Sequence, residues 1–327
     1  EVKKDNLYNF LREMEFNRLL SQAISFYGED SLSDSSSNIK QTKASKINIK
    51  LYKSILNEKD LDKLIDILNT KPFISIDTET SSLNPLEAEL IGISFSYAPN
   101  EAYYIPLGHK NIKSLNKELV LKKIKPLLED PSIKKVGQNI KYDFIILTNN
   151  GIDINPVEDT MLLSYVLDAG NNRHNMDILS ELHLGHKTIS YKDVVGTGKK
   201  QLNFSDVNLE EATKYAAEDA DVTLRLYNLL LERVNNEKLK KIYEVFEKPM
   251  VKLLSKLEIN GVKVDDTYLK KLSKKFEARL KKIEKEIYEV SGKEFNIGSP
   301  KQLGEIIYND LKIAKLKKTK KGSLATS

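Results

Sequence analysis

Residues 73–83 read FISIDTETSSL, a short apolar run rich in β-branched residues that ends in two acids. The run predicts a buried strand. Because side chains alternate along a strand, Asp77 and Glu79 point to one face, while Ile74 and Ile76 point to the other. Two carboxylates about 7 Å apart on one face repel each other unless a cation lies between them, and a hard divalent ion suits oxygen ligands. Taken alone, the pair also fits a solvated strand end or a cap for the following segment.

A mixed α/β pattern extends outward from this strand. The strands predicted at 73–78, 90–97 and 102–107 are close enough in sequence for an antiparallel meander. Helices and one further strand then alternate, which implies a mixed sheet flanked by helices. The predicted helices of this region are 116–130, 140–151, 157–168, 176–184 and 209–234, and the further strand is 132–137.

Changes of composition divide the chain into four segments. Residues 1–28 carry an apolar helical stripe, and residues 29–46 are rich in serine, which is typical of a flexible linker. The α/β pattern occupies 47–240. Residues 241–327 contain only helical patterns, so we predict an all-helical region there.

Composition and charge narrow the class of protein. The 327 residues include no cysteine, which excludes disulfides and thiolate metal sites and fits a reducing compartment. Since no apolar run approaches the roughly 18–20 residues of a membrane span, we expect a soluble, cytoplasmic chain. Residues 248–327 hold 20 Lys and Arg against 10 Asp and Glu. This lysine-rich end suggests a polyanion partner, although a solvated lysine-rich surface is equally consistent with it.

A second polar pair lies in the segment KVGQNIKYD, residues 135–143. Asn139 and Asp143 are four residues apart, which places both on one face of a predicted helix, with Lys141 and Tyr142 turned elsewhere. In the alternative interpretation, Asn139 caps the helix and Asp143 is an exposed helical residue.

A third acid lies in YAAEDADVT, residues 215–223. Asp219 falls on the apolar face of the predicted helix, whereas Glu218 and Asp221 are predicted to project into solvent. An acid on a packed face is unfavourable unless it is paired or binds metal. Tyr215, one turn earlier, would place its hydroxyl beside the Asp219 carboxylate. A buried aspartate paired with Lys or Arg remains the alternative.

The three motifs in this order resemble the DEDDy class of 3′-to-5′ exonucleases, which have a ribonuclease-H-like fold. The resemblance is closer to the proofreading domain of family A DNA polymerases, and it covers nearly the whole chain. DTETSSL, KVGQNIKYD, AGNNRHNMD, KTISYKDVVGTGK and YAAEDADVT are similar to that domain. FNIGSPKQL and LKKTKKG are similar to the start of the polymerase thumb, and the helical stripe of residues 1–28 resembles the segment that trails the 5′-nuclease domain.

The resemblance implies a metal-dependent active site. Two divalent ions, Mg²⁺ or Mn²⁺, would be held by four carboxylates. Asp77 would bridge both ions, Glu79 and Asp219 would hold the ion on the nucleophile side, and Asp143 would act largely through the water shell of the other ion. Tyr215 would position the attacking water.

The resemblance also assigns contacts to DNA. Leu83 and Tyr191 occupy positions that the family uses to wedge or stack against bases, although a phenylalanine is often found at the second. Asn139 and Arg173 match polar residues near the terminal nucleotide or its phosphates. Without the resemblance, Leu83 and Tyr191 also fit core packing, and Arg173 fits a surface ion pair.

The expected partners follow from the same resemblance. They are a single-stranded or frayed DNA 3′ end and duplex DNA bound by the lysine-rich C-terminal helices, for a monomer at the nucleoid without membrane attachment. The polymerase palm and fingers and the 5′-nuclease domain are expected to lie outside this chain, so residues 241–327 would be a truncated thumb. An RNA-trimming DEDDy ribonuclease and a non-catalytic DNA-binding scaffold remain the alternatives.

Overall fold

The computed structural model describes residues 3–14, 16–28, 46–198 and 201–313. Within these residues one sheet has six strands in the order β1-β4-β3-β2-β5-β6. The antiparallel meander β2–β3–β4 forms its centre, β5 and β6 continue parallel to β2, and β1 pairs parallel with β4. The strand bounds are Lys53–Ser54 (β1), Phe73–Thr80 (β2), Leu90–Ala98 (β3), Glu101–Pro106 (β4), Lys134–Gly137 (β5) and Val157–Asp159 (β6). The predicted meander and mixed sheet are confirmed.

Some helices pack on the two faces of the sheet, and others form the C-terminal region. Those of the first 260 residues are Lys4–Glu13 (α1), Asn17–Tyr27 (α2), Glu58–Leu68 (α3), Lys117–Glu129 (α4), Lys141–Asn149 (α5), Thr160–Asp168 (α6), Met176–Leu184 (α7), Tyr191–Val195 (α8), Leu209–Asn236 (α9), Lys240–Ile242 (α10) and Lys248–Asn260 (α11). A π-helical turn, Tyr243–Glu247, joins α10 to α11. After residue 260 come α12 (Asp266–Ser291), α13 (Pro300–Glu305) and a second π-helical turn, Ile306–Asp310.

Strand β2 is the centre of the fold because both of its faces are covered. Ile74 and Ile76 are fully buried in a core cluster shared with helices α3, α4 and α5. On the other face, the Ser75 hydroxyl donates to the Ala220 carbonyl at 2.7 Å, which ties α9 across the strand. The two acids of β2 follow Ser75 in alternation, so they lie on the α9 face of the sheet.

Glu79 lies opposite Gly92 of strand β3. A Cβ atom at position 92 would lie 2.1 Å from the Tyr104 hydroxyl, so only glycine fits beneath that ring. The Tyr104 hydroxyl is itself within 2.8 Å of His109 Nε2. The floor under Glu79 is therefore packed without space for a larger residue.

The centre of α9 has no solvent-facing side, and this corrects one prediction. Glu218 and Asp221 were predicted to project into solvent, yet both are buried. The helix is enclosed between the sheet on one side and α6, α7 and α8 on the other. Glu218 accepts from His186 Nε2 at 2.8 Å and from the Ile189 N–H at 2.6 Å. Tertiary enclosure here overrides the single apolar stripe that the periodicity predicts.

Asp221, rather than Asp219, forms a buried ion pair. Arg225, one turn later, donates through Nε to Asp221 Oδ1 at 3.0 Å. The Tyr52 hydroxyl donates to the same carboxylate at 2.8 Å, and the Asn100 N–H donates at 3.1 Å. These bonds connect α9 to the segment before β1 and to the β3–β4 turn.

Other element boundaries also differ from those predicted. The helix expected at 157–168 begins with strand β6, because residues 157–159 pair with β5, and only Thr160–Asp168 is helical. The single stripe of residues 1–28 is divided into α1 and α2. The strand β1 and the helices α3 and α8 were not predicted, whereas α7 has the predicted bounds of 176 and 184.

The chain forms two compact units, Glu1–Asn260 and Gly261–Ser327. In the first unit the fully buried Tyr243 links the π-helical turn to the sheet, since its hydroxyl donates to Glu158 Oε2 at 2.8 Å. The described part of the second unit is helical, as predicted. Apart from Lys46, the predicted linker 29–46 lies outside the described residues. Among the described residues, none of the helices combines the length and apolar character needed to cross a membrane.

Candidate active site

Three acids from two elements meet at the end of β2. Asp77 and Glu79 come from the strand, and Asp219 comes from α9, which Ser75 ties across the same face. One carboxylate oxygen from each acid lies within 4.8 Å of the others. The residues that the sequence pattern placed on one strand face and on one helix face are therefore brought together by the fold.

The fourth acid, Asp143, approaches from the opposite layer of the sheet. It lies in the first turn of α5 and is buried. Its Oδ1 accepts from the Thr78 N–H at 2.9 Å and from the Thr78 hydroxyl at 2.6 Å. Because Thr78 points away from Asp77 and Glu79, these bonds hold Asp143 beside the strand end, outside the trio of oxygens.

Asn139 differs from its predicted placement. It precedes α5, with a left-handed backbone (φ 58°), so it does not share a helical face with Asp143. It is also not the capping residue of α5, because the N-cap position is held by Ile140. Tyr142, predicted to point elsewhere, instead lines the site, and its hydroxyl donates to the Ser82 carbonyl at 2.5 Å.

The cluster carries more negative charge than its surroundings neutralise. Burial raises the pKa of Asp77 to about 6. Burial, and then the charges of neighbouring acids, raises the pKa values of Glu79, Asp143 and Asp219 well above their usual range. Glu79 Oε1 and Asp219 Oδ1 are buried without a hydrogen-bond partner. Such oxygens require a proton or a cation, and a set of carboxylates fits a hard divalent ion.

This charge predicts a link between metal binding, pH and stability. Because the pKa of Asp77 is raised to about 6, and those of Glu79 and Asp219 are raised well above their usual range, the folded chain binds protons that the unfolded chain has already released. Without metal, stability should therefore fall as pH rises through about 6. Saturating Mg²⁺ should raise the melting temperature by about 5–10 °C near pH 8, and by much less near pH 5.

Thermal melting in EDTA and in Mg²⁺ at the two pH values measures this effect. NaCl at matched ionic strength is the control for screening. An equal Mg²⁺ effect at both pH values would contradict a site built from these carboxylates.

Tyr215 lies one turn before Asp219 on α9, and the two side chains are hydrogen-bonded. Burial and the charge of Asp219 raise the pKa of Tyr215 well above its usual range, so its hydroxyl stays protonated. Its ring packs edge-on against Tyr191, at 6.1 Å between centroids, and in a tilted arrangement against Phe204 at 6.0 Å. The predicted placement of the tyrosine hydroxyl beside Asp219 is confirmed.

The acids open into a cleft of about 950 Å³. Leu83, at the rim, is 94% exposed, and Tyr191, at the start of α8, is 40% exposed, so neither is a core residue. Arg173 is exposed in the loop between α6 and α7 and is not among the cleft-lining residues. The lining is formed by the four acids and Tyr215 together with Thr78, Thr80, Ser81, Ser82, Leu83, Gln138, Asn139, Tyr142, Tyr191, Lys192, Gly196, Thr197, Gly198, Gln201, Leu202 and Asn203.

Family comparisons agree with this geometry. The family model described as 3′-5′ exonuclease matches residues 52–235, more than half of the chain. The chain belongs to this exonuclease family. A second model, described as DNA polymerase family A, matches residues 266–327. The 3′-5′ exonuclease region thus contains the whole cluster of acids, and it is followed by part of a family A polymerase domain.

The chain is similar in sequence to bacterial DNA polymerase I proteins. It is 42% identical over 296 residues to DNA polymerase I of Rhizobium leguminosarum, covering 84% of this chain and 29% of that protein. It is 40% identical over 283 residues to DNA polymerase I of Pseudomonas aeruginosa, covering 84% and 31%. The chain therefore spans less than a third of the length of these two relatives.

Solved structures share the fold at low identity. The polymerase domain of Pol1 from M. smegmatis, in complex with DNA primer-template and dNTP, has a TM-score of 0.63 and 21% identity, covering 84% of this chain and 43% of that one. A structure titled the apo form of the nuclease has a TM-score of 0.51 and 19% identity, covering 64% and 93%. The fold of the exonuclease region is thus the ribonuclease-H-like one that the sequence predicted.

Proposed function

We propose that this chain is a proofreading 3′-to-5′ exodeoxyribonuclease that hydrolyses the terminal phosphodiester of DNA 3′ ends. The observation that carries the proposal is the trio of carboxylate oxygens from Asp77, Glu79 and Asp219, within 4.8 Å of one another at the floor of a cleft. Membership of the 3′-5′ exonuclease family supports the reaction class.

The four acids are proposed to hold two ions, Mg²⁺ or Mn²⁺. Asp77 would contact both ions, and Glu79 and Asp219 would hold one of them. Asp143 has one oxygen occupied by Thr78, so it would act through water. When bound, such a metal pair lowers the pKa of the attacking water and stabilises the leaving 3′ oxygen.

Tyr215 is proposed to orient the attacking water. Its hydroxyl is protonated and bonded to Asp219, so it can donate to one group while accepting from another. Packing against the rings of Tyr191 and Phe204 restrains the Tyr215 ring, which keeps its hydroxyl beside the acids.

The cleft suits a single strand better than a duplex. An exposed apolar side chain such as Leu83 can enter between bases, and Tyr191 can stack on one without reading sequence. We propose that Asn139, which lines the cleft, binds the terminal nucleotide. A phosphate contact for Arg173 stays a prediction, because this side chain lies away from the cleft lining.

We also propose a duplex-binding region, an oligomeric state and a cellular location for the chain. Residues 248–327 hold 20 Lys and Arg against 10 Asp and Glu, and the lysine-rich C-terminal helices would bind duplex DNA through phosphate contacts. We propose that the chain is monomeric and acts at the nucleoid in the cytoplasm, within a polymerase of which it forms one part.

A labelled-strand assay tests the activity. A 5′-labelled single-stranded DNA should be shortened from its 3′ end in Mg²⁺, and EDTA or Asp143→Ala should abolish this shortening. Asp153→Asn is the matched control, since Asp153 is an exposed acid that follows α5 and pairs with Lys252 at the surface. Cleavage that persists in EDTA would contradict the metal-dependent mechanism. Preferential cleavage of an RNA strand, or salt-sensitive binding without cleavage, would favour the ribonuclease or the scaffold instead.

A further inference from the structure

Asp159 is a buried acid next to the cleft that the proposed chemistry does not use. It is the last residue of β6 and the N-cap of α6, where its Oδ1 accepts from the Met161 N–H at 2.8 Å. The same carboxylate reaches across to the turn between β5 and α5. There it accepts from the N–H of Asn139 at 3.1 Å and of Ile140 at 3.0 Å.

These two bonds hold a backbone that is unfavourable by itself. Asn139 has a φ of 58°, in the left-handed region, which asparagine tolerates better than most residues but which is still less favourable than the right-handed region. The turn also lacks a side-chain cap of its own for α5. Asp159 therefore replaces that cap from another element and fixes the conformation of Asn139.

Asp159 is itself restrained by a hydrogen bond from its backbone to Tyr243. Its N–H donates to the Tyr243 hydroxyl at 2.9 Å, and that hydroxyl donates to Glu158. Tyr243 and Asp159 are both buried, and Asp159 is not among the cleft-lining residues. The carboxylate thus cannot reach the substrate, but it has little freedom to leave the Asn139 turn.

We propose that Asp159 is a positioning residue of the exonuclease, which acts on the substrate only through Asn139. This inference rests on the proposed function, in which Asn139 binds the terminal nucleotide. Asp143 should keep its place without Asp159, because Thr78 holds it independently by two bonds. Loss of Asp159 should therefore weaken binding of the 3′ end without slowing the chemical step.

Asp159→Asn tests this selectively. The amide oxygen can still accept from the N–H groups of Met161 and Asn139, but the amide nitrogen opposes the N–H of Ile140, so one of the two bonds to the turn becomes a repulsion. We expect KM for single-stranded DNA to rise about tenfold, the value of about one hydrogen bond, with kcat within about twofold of the wild type. Asp168→Asn is the matched control, because Asp168 lies at the other end of α6 and pairs with Arg233; its KM should stay unchanged.

A double-mutant cycle separates positioning from a general structural role. Asn139→Gly keeps the positive φ without strain and removes only the side chain. If Asp159 acts through Asn139, Asp159→Asn should leave the KM of Asn139→Gly unchanged within about twofold. A further tenfold rise in the double variant, or a wild-type KM in Asp159→Asn alone, would overturn the inference.

Two measurements keep the outcomes distinct. A wild-type chain that does not shorten DNA would refute the proposed function, whereas active wild type with an unaltered Asp159→Asn would refute only the positioning role. Thermal melting is recorded for every variant. If Asp159→Asn is unfolded at the assay temperature, Asp159→Ser, which retains a hydroxyl cap for Met161, is used in the same cycle below its melting temperature with the same expected results.

Discussion

Asp219→Asn is expected to lower kcat for 3′-end cleavage by about 10³-fold, since a metal site contributes several kcal/mol to the transition state. Asp219 supplies one of the three clustered oxygens, and it also bonds Tyr215, so one substitution affects both the metal site and the proposed water-orienting group. Single-turnover cleavage of a labelled strand in Mg²⁺ measures the loss. Glu210→Gln is the control on the same helix, because Glu210 is exposed and pairs with Lys214 at the surface.

The melting temperature of Asp219→Asn distinguishes a loss of catalysis from a loss of folded protein. Asp219→Asn removes one of several mutually repelling buried carboxylates, so the variant should melt at or above the wild-type temperature in EDTA. Its stabilisation by Mg²⁺ should be reduced. A variant that keeps more than about a tenth of the wild-type rate would contradict the assignment of Asp219 as a metal ligand.

Arg225→Met is expected to lower the free energy of unfolding by about 3–5 kcal/mol. The substitution leaves the fully buried Asp221 carboxylate with only the neutral donors of Tyr52 and Asn100. Urea unfolding followed by circular dichroism measures the change. Arg233→Met is the control on the same helix, since Arg233 pairs with partly exposed acids and should contribute at most about 1 kcal/mol.

Removing both charges tests whether the destabilisation arises from the unpaired buried carboxylate. Asp221→Leu combined with Arg225→Met should be more stable than Arg225→Met alone, because no buried charge remains uncompensated. If Arg225→Met lowers the free energy of unfolding no more than Arg233→Met does, the prediction that breaking the buried pair is strongly destabilising is wrong.

The parts of the fold that local pattern determines could be predicted from the sequence. The β2–β3–β4 meander follows from short apolar runs at close spacing, and α7 follows from one helical period between clear boundaries. The site acids could also be predicted, because alternation puts Asp77 and Glu79 on one face and helical spacing puts Tyr215 beside Asp219. The fold brings these side chains together as expected.

What the sequence could not predict depends on contacts between distant elements. Glu218 and Asp221 lie at positions that are solvated on an isolated amphipathic helix, but α9 is enclosed on both sides. The strand β6 reads as the start of a helix, because three residues are too few to show a period of two. The left-handed backbone of Asn139 donates to Asp159, twenty residues away, and although asparagine is enriched in this conformation, its presence alone does not predict it.

The π-helical turn after α10 affects where the chain can be divided. Tyr243 and Val251 are buried against the sheet and core of the exonuclease, and Lys248 pairs with the buried Glu158 at 3.2 Å. A chain cut at the predicted boundary of 240 would expose this apolar surface and leave Glu158 without the Tyr243 hydroxyl. We therefore propose that the smallest autonomously folding exonuclease extends to residue 260, so the helix that leads into the polymerase region belongs structurally to the nuclease.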